Sequence, residues 1–394
     1  MNIFIIPTSY PNKYNPIANI FIYEQAKSLA KYGHKITVLN VIKLPSKFIF
    51  KKINKQIEVY DDKFSTRYTI LMKTFMESKF PRLHAKLFNY KVKKLYYKII
   101  KNQNKPDIFY AHFSLYAGYT ASLLSKRENI PIVTLEHNSY LMNSKIKNIK
   151  RIYLERTINN SDAFICVSNG LKMAIESQIK VKKKIYVVPN MIEECFKYHP
   201  HPKNNADYFV FSSIGNLNHR KRFLLLVEAF CEAFNREDKV ILRIGGDGEQ
   251  RNEINKVIYD NNRENQILLL GSISREESLD EYINCNCFVL PSSSESFGLV
   301  YREAMAVGRP IITTNHGGFD NDWSDKYGIM INIDNKMELI NALINIKNNI
   351  NKYDGKLISK ECLFRCSSEN IIKQISELMK NVISKDKEED LRID

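Results

Sequence analysis

The stretch Pro291-Ser-Ser-Ser-Glu-Ser-Phe-Gly-Leu-Val-Tyr-Arg-Glu-Ala-Met-Ala-Val-Gly-Arg-Pro310 sets two carboxylates, Glu295 and Glu303, eight residues apart around a strand-to-helix turn. The apolar run Cys287-Phe-Val-Leu290 predicts a buried strand ending at Pro291. Four serines and Gly298 follow as a polar loop, and Tyr301–Ala306 predicts a helix. In an α/β sheet such a loop lies at the carboxyl edge of the strands, where ligands bind. The amides opening the helix favour an anionic group such as a diphosphate. The plain alternative is an ordinary strand-to-helix turn with two solvated carboxylates.

The surrounding run, PSxxESFGLVxxEAMAxGxPIIxTxxGG, resembles the E-x7-E signature of retaining glycosyltransferases of family 4, which have the GT-B fold. The resemblance implies an α/β chain of two Rossmann-like, doubly wound parallel-sheet domains facing a cleft. It assigns residues 1–195 to an acceptor-binding domain and 196–368 to a nucleotide-sugar-binding domain. Residues 369–394 would form a helix crossing back to the first domain.

Length and pattern agree with two domains. A chain of 394 residues exceeds one ordinary core. Strand and helix signals alternate: Ile3–Ile6, then an amphipathic helix over Phe21–Tyr32 closed by Gly33, then Lys35–Val41. Such alternation predicts a parallel sheet. Further strands are expected at Ile108–Ala111, Ile132–Glu136, Ala163–Val167 and Ile185–Val188. A second series runs Phe209–Ile214, Val240–Gly245, Ile267–Leu270, Cys287–Leu290 and Pro310–Thr313. Between the series, Cys195–Asn205 reads as a linker. The last helix is expected near Glu369–Ser384, with a charged, frayed tail at Lys385–Asp394.

No apolar run reaches the length of a membrane span, and the first residues read as a strand instead of a signal peptide. The seven cysteines are odd in number and scattered, which argues for reduced thiols, not a disulfide framework or zinc site. A cytoplasmic protein is expected.

Charge is unevenly placed. Residues 1–200 carry 34 Lys+Arg against 13 Asp+Glu, a net +21, while the remainder carries −5. Between Lys43 and Lys105, lysines 51, 52, 91, 93, 94 and 98 interleave with Phe48, Phe50, Phe88, Tyr90, Tyr96 and Tyr97. Cations among aromatics suit an anionic membrane surface, so peripheral attachment to the inner face of the plasma membrane is expected. The alternatives are a solvated face and nucleic acid, and no nucleic-acid motif accompanies the charge.

Further motifs add to the resemblance. Ile214-Gly-Asn-Leu-Asn-His-Arg-Lys-Arg222 is similar to the family segment that places a lysine, here Lys221, on the donor diphosphate. A compact cation there offsets charge on a departing diphosphate. Asn216 stands where the family usually has arginine, with Arg220 and Arg222 close by as substitutes. Arg243–Arg251, rich in glycine, resembles the family's xxGDGPxR turn, and Gly271 and Ser272 fall on the edge that meets the nucleobase. By the same resemblance Glu303 would take the ribose hydroxyls and Glu295 the transferred sugar. The amides of Phe297, Gly298 and Leu299 would line the diphosphate. A basic surface loop is the plain reading of the Lys221 segment.

In the first half, Asp107–Gly118 and Val133–Ser139 put His112 and His137 at strand ends, and the match favours His137 beside the hexose. Structural, hydrogen-bonded histidines are the alternative. In the loop Thr8–Asn19, Asn19 replaces the usual glycine. The implied reaction is retaining, metal-independent transfer of a hexose from a UDP- or GDP-sugar to a glycan or lipid-linked acceptor. Glu295, His137 and Lys221 are its catalytic candidates, and bacterial surface polysaccharide its destination. No cofactor is expected, because the lysine and a helix N-terminus can do a cation's work. Other nucleotide-sugar chemistry, an epimerase or phosphorylase, and a non-catalytic scaffold remain open.

Overall fold

In the computed structural model, which describes residues 1–44, 56–74, 77, 79–143, 146, 148–202, 208–319 and 322–390, the chain separates into two units. One comprises Met1–Met191 with Ser368–Asp394, and the other Ile192–Ser367.

Among the described residues of the first unit, eight strands form one sheet. They are β1 (Asn2–Pro7), β2 (Lys35–Leu44), β3 (Glu58–Asp61), β4 (Thr66–Lys73), β5 (Ile108–His112), β6 (Ile132–Glu136), β7 (Ala163–Cys166) and β8 (Ile185–Val187). Their order is β3-β4-β2-β1-β5-β6-β7-β8, and every pairing is parallel except that of edge strand β3 with β4. Helices α1 (Ile20–Lys31), α2 (Pro81–Ile99), α3 (Tyr119–Glu128), α4 (Tyr140–Asn143), α5 (Asn148–Asn160) and α6 (Asn169–Glu176) connect them.

Strand β1 is central because Ile3 to Ile6 are all fully buried, as a parallel strand covered on both faces requires. Phe4 and Ile6 join Phe88, Val92 and Leu95 of α2 and Leu124 of α3 in one apolar cluster. Ile3 and Ile5 alternate to the opposite face. Strand β2 runs three residues past the expected Val41, since β4 pairs with it as far as Leu44↔Lys73. The final helix, Ser368–Asp390, buries Ile371, Ile372, Ile375 and Met379, and its Ser376 Oγ lies 2.9 Å from His34 Nε2, just beyond α1. It is helical through Asp390, past Lys385; residues 391–394 lie outside the described ones.

In the second unit, β9 (Phe209–Ile214), β10 (Val240–Gly245), β11 (Ile267–Gly271), β12 (Cys287–Val289), β13 (Ile311–Thr314) and β14 (Gly328–Ile331) form a wholly parallel sheet ordered β11-β10-β9-β12-β13-β14. The connecting helices are α7 (Phe223–Ala233), α8 (Arg251–Asp260), α9 (Arg275–Asn284), α10 (Leu299–Val307), α11 (Lys336–Asn348) and α12 (Gly355–Cys366). Sequence order reverses at β9, flanked by β10 and β12, and the loops after these strands carry the site. Gly246, at φ 140°, lets the turn after β10 sit against the backbone of Gly215; a Cβ there would fall 1.9 Å from the Gly215 carbonyl oxygen. Arg309 is fully buried and donates to the carbonyls of His199, Pro200, Tyr282 and Ile283, which ties the start of the unit to its core.

Candidate active site

The loop after β12 delivers Glu295, and Gly298 turns the chain into α10. Gly298 sits at φ 75°, and a Cβ on it would meet the Tyr301 ring at 2.7 Å, so glycine is required on two counts. Among the described residues no side chain caps α10, and no acid lies in its first turn, which leaves its leading amides available to an anion.

The loop after β9 delivers Lys221. A short 3-10 turn, His219–Lys221, is capped by Asn218, whose side-chain oxygen accepts from the Lys221 amide. Lys221 Nζ stands 2.5 Å from Glu295 Oε1, and Arg220 Nη1 lies 3.2 Å from Glu295 Oε2. Arg220 also donates to the Ser294 carbonyl. Burial alone would push the Glu295 carboxyl up, but Lys221, Arg220 and His316 together hold it down to about 2. Burial keeps His316 neutral, at about 4 despite the pull of Glu295. Its Nδ1 accepts from the Gly318 amide, so its Nε2 carries the proton and faces Thr313 Oγ1 at 3.1 Å. The result is a buried carboxylate, two cations and a neutral imidazole beside uncapped amides. Such a site can exchange its internal anion for a phosphate oxygen.

Of the two arginines near Asn216, Arg220 faces Glu295, whereas Arg222 is taken by Asp334 at 2.6 Å and 2.9 Å. Asn216 itself is exposed. Phe297 packs its ring inside the protein under Arg302, so only its backbone is offered. Leu299 opens α10 partly exposed. Gly271 ends β11 in the left-handed region at φ 75°, and Ser272 is exposed beside it.

Glu303 belongs to a separate cluster. It is 1% exposed, and Tyr282 donates to its Oε2 at 3.0 Å while Arg275 lies 2.8 Å from its Oε1. Arg275 also bonds Glu193 and covers the Phe196 ring at 4.7 Å. Any ligand hydroxyl that bonds Glu303 has to share it with Arg275. Arg275, Tyr282 and Glu193 meet their partners across long sequence gaps and stand in no recognisable motif, while His316 lies at an unspecified position of the quoted run, so none of the four was legible as a candidate. The chain also contains one D-x-D triplet, Asp320 to Asp322. Asp322 pairs with Arg365 at 3.0 Å, and Asp320 lies outside the described residues.

In the first unit, His112 ends β5 and His137 follows β6, and their rings meet with His112 Nδ1 3.1 Å from His137 Nε2. Burial lowers both, His137 to about 3, so the pair is neutral and shares one proton. Beneath them Glu136 accepts from the amides of Ser114, His137 and Asn138 and from the Ser114 hydroxyl. Asn19 caps α1 at φ 48°, ψ 46°, a left-handed conformation that asparagine tolerates almost as glycine does, which accounts for the replacement. Nearby, a cavity of about 510 Å³ is lined by Thr8, Ser9, Tyr10, Asn12, Asn40 and Lys43, among others. Asn40 is 1% exposed, and neither its amide nitrogen nor its oxygen has a hydrogen-bond partner among the described residues.

Comparison with known proteins supplies the family. The profile described as Glycosyltransferase Family 4 matches residues 18–194, and that described as Glycosyl transferases group 1 matches residues 196–358. An uncharacterized glycosyltransferase of Methanocaldococcus jannaschii is 28% identical over 260 residues, covering 64% of this chain and 70% of that protein. The alpha-monoglucosyldiacylglycerol synthase of Streptococcus pneumoniae is 24% identical, covering 75% and 71%. Among solved structures, sucrose-phosphate synthase from Thermosynechococcus elongatus aligns with a TM-score of 0.79 at 17% identity, covering 98% of this chain and 100% of that one. Its two parallel-sheet α/β domains share the fold described above. Each half of the chain thus carries its own glycosyltransferase signature, and the protein belongs to the group 1, family 4 glycosyltransferases of GT-B fold.

Proposed function

We propose that the protein transfers a hexose from a UDP- or GDP-sugar to a glycan or lipid-linked acceptor, with retention at the anomeric carbon and without a metal, in the assembly of a surface glycan. The observation that carries this reading is the Lys221–Glu295 pair beside the uncapped start of α10. In the reaction the anomeric C–O bond to the diphosphate breaks, a bond to the acceptor hydroxyl oxygen forms, and the hydroxyl proton departs to phosphate oxygen or water. Lys221, Arg220 and the α10 amides offset the negative charge that gathers on the diphosphate, where the largest electrostatic gain is available. Released from Lys221, Glu295 can accept from the hydroxyls of the transferred sugar.

The acceptor is assigned to the first unit. The cavity around Asn40 offers a buried amide with an unfilled donor and an unfilled acceptor, the pair that a sugar hydroxyl satisfies. The name of the pneumococcal relative, a glucosyl lipid synthase, favours a lipid-linked acceptor.

The test is release of nucleoside diphosphate from a panel of UDP- and GDP-sugars, with chelator present, by wild type, Lys221→Ala and Glu295→Ala. Turnover of one donor, lost in both variants, supports the reading; product NMR then reports the anomer. Turnover abolished by chelator and restored by a divalent cation contradicts metal independence. No release from any donor contradicts the enzyme assignment.

A further inference from the structure

The outer face of α2 has a composition that an ordinary water-facing helix avoids. Its inner face is spent on the core through His84, Ala85, Phe88, Val92, Leu95, Tyr96 and Ile99. On the other side Phe80, which precedes the helix, is 50% exposed, with Leu83 at 53%, Leu87 at 37% and Tyr90 at 62%. Spacings of three and four residues align these four side chains in one stripe, about 15 Å long at the helical rise. The exposed positions around them are Arg82, Lys86, Lys94 and Lys98. Across Pro81–Ile99 there are six Lys and Arg and not one Asp or Glu.

This arrangement selects its partner. A second copy docked face to face would set cations against cations. Nucleic acid would satisfy the lysines and leave the apolar stripe facing phosphates. A bilayer rich in anionic phospholipid satisfies both, with phosphate headgroups for the cations and the acyl boundary for the stripe. We infer that α2 is an interfacial membrane helix, lying in the plane of an anionic leaflet with Phe80, Leu83, Leu87 and Tyr90 inserted and Arg82, Lys86, Lys94 and Lys98 on the headgroups. The inference goes beyond the catalytic reading and does not depend on it, because none of these residues belongs to the candidate donor or acceptor sites. Of the expected contributors, Phe88 and Tyr96 are buried in the core, and Phe48, Phe50, Lys51 and Lys52 lie outside the described residues.

The experiment is co-flotation of the full chain with vesicles of phosphatidylcholine alone or mixed with phosphatidylglycerol. Wild type, the triple variant Leu83→Ser/Leu87→Ser/Tyr90→Ser and the pair Lys86→Glu/Lys94→Glu are compared, with circular dichroism confirming the fold of each. Binding to the mixed vesicles should exceed that to phosphatidylcholine by roughly tenfold or more, and both variants should lose most of it. Insertion, as opposed to adhesion, is read from Tyr90→Trp, whose added emission should shift to the blue on the mixed vesicles. Binding unchanged in the serine variant, no blue shift, or no preference for the anionic vesicles would overturn the proposal. So would retention on duplex DNA, in place of vesicles, that survives the serine substitutions.

Discussion

Lys221 Nζ and Glu295 Oε1 lie 2.5 Å apart, and both side chains are about nine-tenths buried. The two loops that carry them follow β9 and β12, neighbouring strands in the sheet, so the contact is fixed by strand order. A pair this buried holds a cation where its charge is less screened than in bulk water. Replacing Lys221 removes charge from the leaving group, and Lys221→Ala should lower kcat by about 10²–10³, the usual cost of losing one electrostatic donor. Arg220 keeps Glu295 ionised in that variant, so the fold should survive, as a thermal melt would verify.

Acid should destabilise the protein over two overlapping pH ranges. Burial lowers His137 to about 3 and His316 to about 4, against an ordinary 6.5. A group that is harder to protonate when folded stabilises the fold above its unfolded value and loses that contribution as pH falls through the interval between the two. Tm should therefore begin to drop below about pH 6.5. Glu295 adds a second loss, because burial opposes its charge but Lys221 and Arg220 hold it at about 2 against an ordinary 4.5. The Tm difference between wild type and Glu295→Gln should shrink as pH falls below about 4.5.

Asn19 offers a backbone test. If its left-handed conformation at φ 48° is what the position demands, Asn19→Gly should be neutral within about 0.5 kcal/mol, and Asn19→Leu should cost about 1–2 kcal/mol. Urea denaturation of the three proteins reads both numbers. Equal stability of the leucine variant would show that the left-handed turn is not required.

Glu303 should behave differently from Glu295. Its carboxylate is held by Arg275 and Tyr282 and not by Lys221, and the family resemblance gives it the ribose hydroxyls as an expectation. Glu303→Gln keeps the shape but weakens the Arg275 contact, and should raise the donor KM by about tenfold with kcat changed less. A matching loss in kcat alone would place Glu303 in the chemical step.

Much of the sheet was readable because its strands are buried on both faces and written as apolar runs: Ile132–Glu136, Phe209–Ile214 and Val240–Gly245 fall where expected. The edge strands β8 and β11 were found as well, but the edge strands β3 and β14 and the inner strand β4 were not. Strand β3, Glu58-Val-Tyr-Asp61, is largely exposed and carries no apolar alternation to detect. Strand β14, Gly328-Ile-Met-Ile331, is short, and Gly328 opens it at φ 147° with its Cα against the Ile311 backbone. Glu295, Glu303 and Lys221 could be named as candidates because each lies in a continuous run. Arg275 could not, since its link to Glu193 spans 82 residues and exists only once the sheet has formed. Nor could periodicity show that Lys221 rests on Glu295, because that contact is a property of strand order.

The central claim is that a donor diphosphate takes Lys221 from Glu295. Calorimetric titration of UDP and GDP into wild type, Lys221→Ala and Glu295→Gln tests it most directly. The account predicts that one nucleotide binds wild type, that Lys221→Ala weakens it by about tenfold or more, and that Glu295→Gln binds it at least as tightly as wild type, its lysine having no internal anion to leave. Undiminished affinity in Lys221→Ala, or weakening in Glu295→Gln equal to that in Lys221→Ala, would contradict it.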